Sequence, residues 1–304
     1  MTADGKAARD GVVWKTVAKR GLKALGVDGR RAYLRLSAAS LENAITEQGL
    51  RPLRDRLRDI VPDLGHQYTA GFDPVEYALY WERNMRGMHA FQVHCLLEAV
   101  AHIGREGQTV VDIGDSSGTH PRYLRALAPA GMVARTISVN LDPVAVDKVR
   151  ASGGDAIHCR AEDLDLGHEQ IDLFVSFQML EHLTDPVRFL HRLATSRNAA
   201  PLLVTVPFRR TSRFGGGFFE HAIHLPPERL TAESFHLFEL SREDWIRLAW
   251  FSGWRLLRDR VYCQYPKRSL LRLTAPMWRA LDFEGFLALY LTPDLSLANR
   301  YSGW

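Results

Sequence analysis

Cysteine and long apolar runs are scarce in this sequence, and each shortage argues against a class of protein. The three cysteines, Cys95, Cys159 and Cys263, lie far apart and in no Cys-x-x-Cys or Cys/His spacing. We therefore expect buried free thiols rather than a disulfide framework or a zinc site. No stretch approaches the roughly 18 uninterrupted apolar residues of a membrane-spanning helix. Residues 1–10 are polar rather than an apolar signal core, so we predict a cytoplasmic protein.

Lysine is also scarce, and the positive charge is unevenly placed. Arginine outnumbers lysine 33 to 6, and residues 1–60 carry 13 basic against 7 acidic side chains. A second basic run, opposed by one acid, comprises Arg255, Arg258, Arg260, Lys267, Arg268 and Arg272. Such patches attract phosphates, anionic lipid headgroups or nucleic acid, or are simply solvated surface. Peripheral membrane contact therefore stays open, whereas no internal feature predicts an oligomeric state.

The first hundred residues carry the apolar spacing of helices. It predicts four helices, in residues 14–25, 41–60, 75–83 and 88–102. Pro62 ends the second, and Pro74 opens the third. We therefore predict a helical N-terminal extension over residues 1–105.

Beyond Gly107 the pattern changes to short β-branched strands that alternate with helices. Seven strands are predicted, in residues 109–113, 133–139, 156–159, 171–177, 202–206, 254–262 and 286–291. This alternation predicts an α/β fold, a doubly wound and mostly parallel Rossmann-like sheet of seven strands. We place its core at 106–263, with an irregular insert at 207–240. A helical and aromatic segment, 264–304, completes the sheet.

The most informative turn follows the first of these strands. Here Asp112-Ile-Gly-Asp-Ser-Ser-Gly118 leads from a strand into a helix on small residues. In an open α/β sheet the ligand crevice lies at this end of the strands. The turn is not a Walker phosphate loop, since it lacks the Gly-Lys-Ser/Thr ending, and Ser116 replaces the middle glycine of a dinucleotide fingerprint.

Further segments follow in order after the next three strands. They are Asn-Leu-Asp-Pro at 140–143, Ala-Glu-Asp at 161–163 and Phe-Gln-Met-Leu-Glu-His-Leu-Thr-Asp-Pro at 177–186. His-Leu-Phe-Glu-Leu-Ser at 236–241 and Ser-Gly-Trp at 252–254 come later. Together with the first turn, these residues resemble class I methyltransferases that use S-adenosylmethionine (SAM), in particular the branch of the ubiquinone-biosynthesis enzymes. The resemblance covers residues 107–262.

The resemblance implies a SAM site at the first turn. Asp112, Gly114, Asp115 and Gly118 would cradle the methionine end of the cofactor. Ser116 departs from the family's Asp-x-Gly-x-Gly-x-Gly pattern at this turn.

The remaining cofactor contacts are implied at the ends of the other strands. Asn140, where the family has an acid, would face the ribose, and Leu141 would pack on the adenine. Glu162 and Asp163 would approach the adenine amino edge. The floor near the sulfonium would be formed by Phe177 and Gln178.

Histidine is the natural general base for methylation of a hydroxyl. His182 follows the fourth strand, and His221 lies in the insert, so both are candidate catalytic residues. His221, His224 and His236 have spacings that match no familiar zinc pattern, and we expect no metal.

The acceptor is only partly indicated. Residues 209–219 form a basic, aromatic, glycine-rich loop that could close over an anionic acceptor or be mobile surface. We expect O-methylation of a small metabolite, a glycan or a lipid-linked sugar. A non-catalytic binding module that kept the fold is the alternative. Nucleic acid is disfavoured, because the Asn/Asp-Pro-Pro-aromatic motif of amino-group methylation is missing after the fourth strand.

Overall fold

The computed structural model describes residues 29–65, 74–215, 235–280 and 284–300. The helix predicted at 14–25, together with His221 and His224, lies outside these residues. The described strands are β1 (Gln108–Ile113), β2 (Val133–Asn140), β3 (Asp155–His158), β4 (Leu173–Phe177), β5 (Leu202–Pro207), β6 (Arg213–Phe214), β7 (Phe238–Glu239), β8 (Trp254–Cys263) and β9 (Gly285–Pro293). The main helices are α1 (Gly29–Glu47), α2 (Arg51–Ile60), α3 (Glu82–Ile103), α4 (Thr119–Leu127), α5 (Pro143–Ala151), α6 (Pro186–Thr195), α7 (Arg242–Phe251), α8 (Ala275–Ala280) and α9 (Leu295–Ala298).

Seven of the strands form one sheet in the order β3-β2-β1-β4-β5-β9-β8. The pairs from β3 to β5 are all parallel, whereas β9 runs antiparallel to both β5 and β8. The predicted Rossmann-like, mostly parallel seven-stranded fold is therefore confirmed, and each predicted strand agrees with an observed one to within two residues.

The strand register brings the ends of the parallel strands to one edge, which we call the carboxyl edge. Asp112 of β1 lies opposite Ser138 of β2 and Val175 of β4, and Phe177 lies opposite Thr205 of β5. Since β8 is antiparallel to β9, it runs in the same direction as β5. The connection from β8 to β9 therefore also leaves from the carboxyl edge.

Side chains alternate along each strand and fill a core on either face of the sheet. Val110, Leu173 and Leu203 pack towards α2, α3 and α4 with Phe91 and Tyr123. On the other face, under α6 and α7, the buried core comprises Val111, Phe174, Leu202, Phe189, Trp245 and Trp254. Asp112 and Phe177 share the strand parity of Val110 and Leu173, so they face α3 and α4.

Three of the predicted N-terminal helices had wrong bounds. A single helix over 41–60 is wrong: α1 ends at Glu47 and α2 begins at Arg51, because Gly49 between them takes a left-handed φ of +71°. Separate helices at 75–83 and 88–102 are also wrong. Pro74–Glu76 and a π-helical turn, Tyr77–Trp81, lead without interruption into α3.

The N-terminal helices share the core of the sheet. Leu57 of α2 and Phe91 of α3 belong to the same buried cluster as Val110 of β1. Arg86 of α3 is fully buried and donates hydrogen bonds to the carbonyl oxygens of Leu57 and Val61. The boundary at residue 105 stays a prediction. None of the described helices is both long and apolar enough to cross a membrane.

Candidate functional site

The loop that follows β1 turns on two glycines with left-handed backbone conformations. Gly114 has a φ of +91°, and a Cβ atom there would lie 2.8 Å from Cγ of Met179. Gly118 has a φ of +76°. The Gly114 amide donates to the Val139 carbonyl oxygen over 2.8 Å, which ties the loop to β2. Any side chain at position 114 would therefore be strained and crowded.

Asp115 holds this loop in shape. Its Oδ2 accepts a hydrogen bond from the Gly118 amide and another from the Ser138 hydroxyl, both at 2.6 Å. Its carbonyl oxygen accepts from Nδ2 of Asn140. Burial raises the pKa of Asp115, while the hydrogen bond from Ser138 and those from backbone amides of the loop oppose the rise. The side chain thus acts as an internal brace between the loop and β2.

Asp112 is buried beside this brace with an unsatisfied oxygen. Its Oδ2 and Oδ1 of Asp115 make no hydrogen bond within the described residues. The Nδ1 atom of His120 lies 4.0 Å from that Oδ2. Burial, reinforced by the charge of Asp115, raises the pKa of Asp112 well above its usual range. Two buried carboxyl oxygens that lack donors form a place for a cationic or proton-donating group.

A buried series of hydrogen-bonded side chains that begins at His120 was not predicted from the sequence. The His120 Nε2 atom lies 2.9 Å from Oε1 of Gln92, and Gln92 donates from Nε2 to the Thr205 hydroxyl oxygen over 2.9 Å. Gln178 donates to the same hydroxyl oxygen. Burial lowers the pKa of His120 to about 3, so its ring is neutral.

The tautomer of His120 follows from this series. Since Gln92 donates from its nitrogen, its oxygen accepts, and His120 must carry its proton on Nε2. Nδ1 of His120 then presents a lone pair towards Asp112. No pattern in the sequence marked His120 or Gln92, because these hydrogen bonds connect side chains of β5, α3 and α4 that come together only in the fold.

Phe177 and Gln178 end β4 beside this series. The Phe177 ring meets the His120 ring edge-on at 4.7 Å. Gln178 is the one non-glycine residue in the described part with a positive φ, +54°, and its amide donates to the Thr205 carbonyl oxygen. Backbone held in this region is strained, and such strain concentrates at functional sites.

The other predicted cofactor residues lie at the same edge. Asn140 ends β2, and its Oδ1 accepts from the Asp142 amide over 2.7 Å. Leu141 is exposed immediately after it. Glu162 and Asp163 lie in a 3₁₀ turn after β3, where Arg192 donates to the Glu162 carbonyl oxygen. Strand order and register thus bring all ten predicted cofactor residues to the carboxyl edge.

A second polar cluster surrounds His182 and the base of the insert. The His182 Nδ1 atom lies 2.8 Å from the Phe235 carbonyl oxygen and so donates to it. The rings of His182 and His236 meet at 4.7 Å. Burial lowers the pKa of His182 to about 4, although the bond to Phe235 opposes the fall. At neutral pH His182 is therefore uncharged, and its Nε2 atom carries a lone pair.

His236 and Glu239 form the charged side of this cluster. They lie 2.8 Å apart, and Arg213 donates to the other Glu239 oxygen over 2.6 Å. Burial opposes a charge on His236, but the hydrogen bond with Glu239 and the charges of Glu181 and Glu239 raise the His236 pKa. Burial would raise the pKa of Glu239, yet its bonds to His236 and Arg213 lower it to about 2.

Glu181 is the most unusual member of the second cluster. Its side chain is fully buried, and neither carboxyl oxygen has a hydrogen-bond partner within the described residues. Burial raises its pKa to about 8, with Glu239 adding to the rise and His236 opposing it. Sequence analysis named its neighbour His182 as a site residue but not Glu181 itself.

We expect Glu181→Gln to change how stability depends on pH. The folded pKa of about 8 lies above the ordinary value of 4.5. The stability that wild type draws from a neutral Glu181 is therefore fully present below pH 4.5 and lost as pH rises through 8. Since glutamine does not ionise, the variant should exceed wild type by roughly 3–5 kcal/mol at high pH.

Urea unfolding at pH 5 and pH 9 checks this prediction. At pH 5 the variant and wild type should agree within about 1 kcal/mol, as expected for a near-isosteric change. Glu243→Gln, at an exposed ion pair with Arg242, is the matched control and should follow the wild-type profile at both values. Parallel pH profiles for wild type and Glu181→Gln would refute the buried, neutral carboxyl.

Within the described part of the chain, two groups of three side chains have the spacing to hold a metal ion. One is Asp112, Asp115 and His120, and the other is Glu181, His182 and His236. In each group the ligand atoms lie within 4.8 Å of one another. The second group shares only His236 with the histidine set considered from the sequence. The expectation of no metal stays a prediction.

Residues 111–196, which span the loop after β1 through the end of α6, match the family model described as a methyltransferase domain. This segment is similar to methyltransferase domains, which bears out the predicted resemblance and supports SAM as the methyl donor that it implies. No curated protein matches the sequence.

Solved structures with similar folds are distant in sequence. A chain of the complex between the Haloferax volcanii Trm112 methyltransferase activator and a methyltransferase is 17% identical, with a TM-score of 0.49 over 70% of this chain and 94% of that one. The Burkholderia thailandensis 1,6-didemethyltoxoflavin-N1-methyltransferase is 16% identical, with a TM-score of 0.44 over 75% and 93%. A SAM-dependent methyltransferase from Mesorhizobium loti is 15% identical, with 0.44 over 64% and 96%. Similarity at this level says nothing of the acceptor.

Proposed function

We propose that the chain transfers the methyl group of SAM to a hydroxyl of a small metabolite, a glycan or a lipid-linked sugar. The observation that supports a hydroxyl as the acceptor is the state of His182. It is a neutral imidazole at the carboxyl edge, held by its hydrogen bond to the Phe235 carbonyl oxygen. An alcohol must lose its proton during transfer, whereas a thiolate or a neutral amine can attack without a general base.

The methionine end of the cofactor would be held at the loop after β1 by Asp112 and Asp115. SAM brings a methyl group activated on a sulfonium and an α-ammonium on its methionine end. Asp112 and Asp115 each have a buried oxygen without a donor, which is the complement an ammonium needs. Gly114 and Gly118 keep the loop free of side chains, so that backbone can approach the ligand.

The other end of the cofactor would lie across the ends of β2 and β3. Asn140 still has one N–H and one lone pair to offer a ribose, beyond those used on Asp115 and Asp142. The exposed side chain of Leu141 would cover the adenine, and Glu162 or Asp163 would accept from its amino group. Phe177 would form the apolar floor near the sulfonium.

His182 would accept the proton of the acceptor hydroxyl on Nε2. Its Nδ1 hydrogen bond fixes both the ring orientation and the tautomer. His236, held by its hydrogen bond with Glu239, lies beside the His182 ring. His221, the second predicted base, stays a proposal from the sequence alone, as do an anionic acceptor and a cytoplasmic location.

Transfer of an isotopically labelled methyl group tests the hydroxyl assignment. Purified protein would be incubated with labelled SAM and panels of hydroxylated metabolites, phosphosugars and polyprenol-linked sugars, and each product located by NMR. We expect methyl ethers. Methylation confined to amines or thiols would refute a hydroxyl acceptor but would agree with SAM as the methyl donor. Cofactor binding without methyl transfer to any panel would favour a non-catalytic binding module.

A further inference from the structure

The connection between β8 and β9 exposes a row of large apolar side chains. Leu270 is 85% exposed and Leu273 is 75% exposed, and Met277 is exposed one helical turn further on. Their spacing of three and four residues, through a 3₁₀ turn and into α8, places them on one face. We call Leu270, Leu273 and Met277 the leucine stripe.

The opposite face of this segment is anchored to the protein, which fixes the stripe outward. Trp278 is fully buried and donates from Nε1 to the Thr274 hydroxyl oxygen over 2.8 Å. Glu47, at the end of α1, accepts hydrogen bonds from the amides of Lys267, Arg268 and Ser269 over 2.6–3.0 Å. The exposure of the stripe is therefore a consequence of how its segment is held.

Helix α1 extends the same surface. The Tyr33 ring lies 6.3 Å from the Trp278 ring, and Leu36 is exposed one turn along α1. Leu34 and Leu41, on the inner side of α1, pack into one buried cluster with Tyr265 and Trp278. An exposed apolar strip from α1 thus adjoins the segment that carries the leucine stripe.

The charge around this surface is mainly positive. Residues 31–41 and 264–279 contain no aspartate or glutamate, and Glu47 is an acid that lies against the amides of Lys267, Arg268 and Ser269. Their basic side chains are Arg31, Arg35, Lys267, Arg268, Arg272 and Arg279. Exposed leucines interleaved with basic side chains are the pattern of a surface that lies in a membrane interface.

The surface lies at the carboxyl edge. The loop after β1, which is proposed to bind the cofactor and is called the cofactor loop below, lies at the same edge. The segment leaves β8 at Cys263 and re-enters the sheet at Gly285, next to Pro207, the end of β5. A bilayer under the leucine stripe would therefore face the same edge as the cofactor loop and the insert after β5.

We propose that the leucine stripe and the surrounding basic side chains dock this protein on an anionic lipid bilayer. The leucines enter the acyl boundary while the arginines bind the headgroup phosphates. A nucleic acid would leave the leucines unused, and a second copy would place two arginine-rich surfaces against each other. Such docking would bring a lipid-borne hydroxyl to the site, and this consequence rests on the proposed function. The docking itself does not rest on it.

Sedimentation of the full chain with vesicles, without SAM, tests the docking. We expect binding to phosphatidylcholine vesicles that contain phosphatidylglycerol, at least about tenfold stronger than to phosphatidylcholine alone.

The Leu270→Ser/Leu273→Ser variant should bind the anionic vesicles at least about tenfold more weakly than wild type does. Arg268→Gln/Arg272→Gln should lose the preference for anionic vesicles. The matched control is Leu295→Ser, since Leu295 is 60% exposed but follows β9 at the opposite edge, and it should bind as wild type does.

Several outcomes would overturn the proposal. Wild-type protein that stays in the supernatant with anionic vesicles would do so, as would serine variants that sediment like wild type. Self-association that the double serine variant abolishes would assign the surface to a second copy, and retention of RNA in place of vesicles would assign it to nucleic acid. Because no methyl transfer is measured, failure of the proposed O-methylation leaves the vesicle result unchanged.

Discussion

Asp115→Ala is expected to weaken binding of S-adenosylhomocysteine (SAH) at least about a hundredfold. The alanine removes the oxygen that accepts from Gly118 and Ser138, both at 2.6 Å. A hydrogen bond to a charged group contributes about 1.5–3 kcal/mol, and roughly 2.7 kcal/mol corresponds to a hundredfold. The loop would lose its link to β2 and with it the orientation of its backbone amides. Isothermal titration calorimetry with SAH measures the loss.

The control for Asp115→Ala should keep full affinity for SAH. Asp185 accepts a hydrogen bond from the Arg188 amide as the N-cap of α6, which follows β4. Asp185→Ala should cost about 1 kcal/mol of stability and leave the affinity unchanged. Asp115→Asn, which retains an acceptor oxygen, should fall between alanine and wild type. If Asp115→Ala binds SAH as wild type does while folded, Asp115 does not brace the cofactor loop.

His182→Ala is expected to slow methyl transfer about 10²–10⁴-fold without changing SAH affinity. A positioned general base contributes rate enhancement of this order. Because the pKa of His182 is lowered to about 4, the base is already deprotonated at pH 6. The wild-type rate limited by this group should therefore be flat between pH 6 and 8. Initial rates with a hydroxyl acceptor identified in the transfer panels check both statements.

Two variants separate proton transfer from positioning at residue 182. Asparagine can still donate to the Phe235 carbonyl oxygen but cannot take up a proton at neutral pH. His182→Asn should therefore be as slow as His182→Ala. Exposed His168, which contacts Arg197, provides the matched control, and His168→Ala should leave the rate unchanged. Recovery of the wild-type rate in His182→Asn would make His182 a positioning residue, and unchanged rates in both variants would assign the base elsewhere.

Strands β1, β4 and β5 were predictable because strands that are buried on both faces consist of short, nearly continuous apolar runs. The run of β1 ends at Ile113 and that of β4 at Phe177, where the chain turns. The order of the seven strands and the antiparallel direction of β9 follow instead from how the segments pack.

The helix boundaries were harder, since they depend on backbone details that apolar spacing does not encode. The left-handed Gly49 divides what looked like one helix, and the π-turn at Tyr77–Trp81 joins what looked like two. In each case the apolar spacing continued smoothly, and tertiary packing decided where the helix ended.

Some residues of the candidate site could be predicted from the sequence, and others could not. Asp112, Gly114 and Asn140 lie in short motifs at strand ends, so their convergence follows from a parallel sheet. His120 and Gln92 come from elements 28 residues apart and meet only through the packing of α3 against α4. Such contacts leave no spacing signal, and only the structure shows that His120 carries its proton on Nε2.

Calorimetric titration of the wild-type chain with SAH tests the central claim most directly. The unpaired carboxyl oxygens of Asp112 and Asp115 at the loop after β1 predict saturable binding of one SAH per chain, with a dissociation constant roughly in the micromolar range or tighter. Folded protein that gave no binding heat with either SAH or SAM at about millimolar concentration, and no thermal stabilisation by them, would contradict the account.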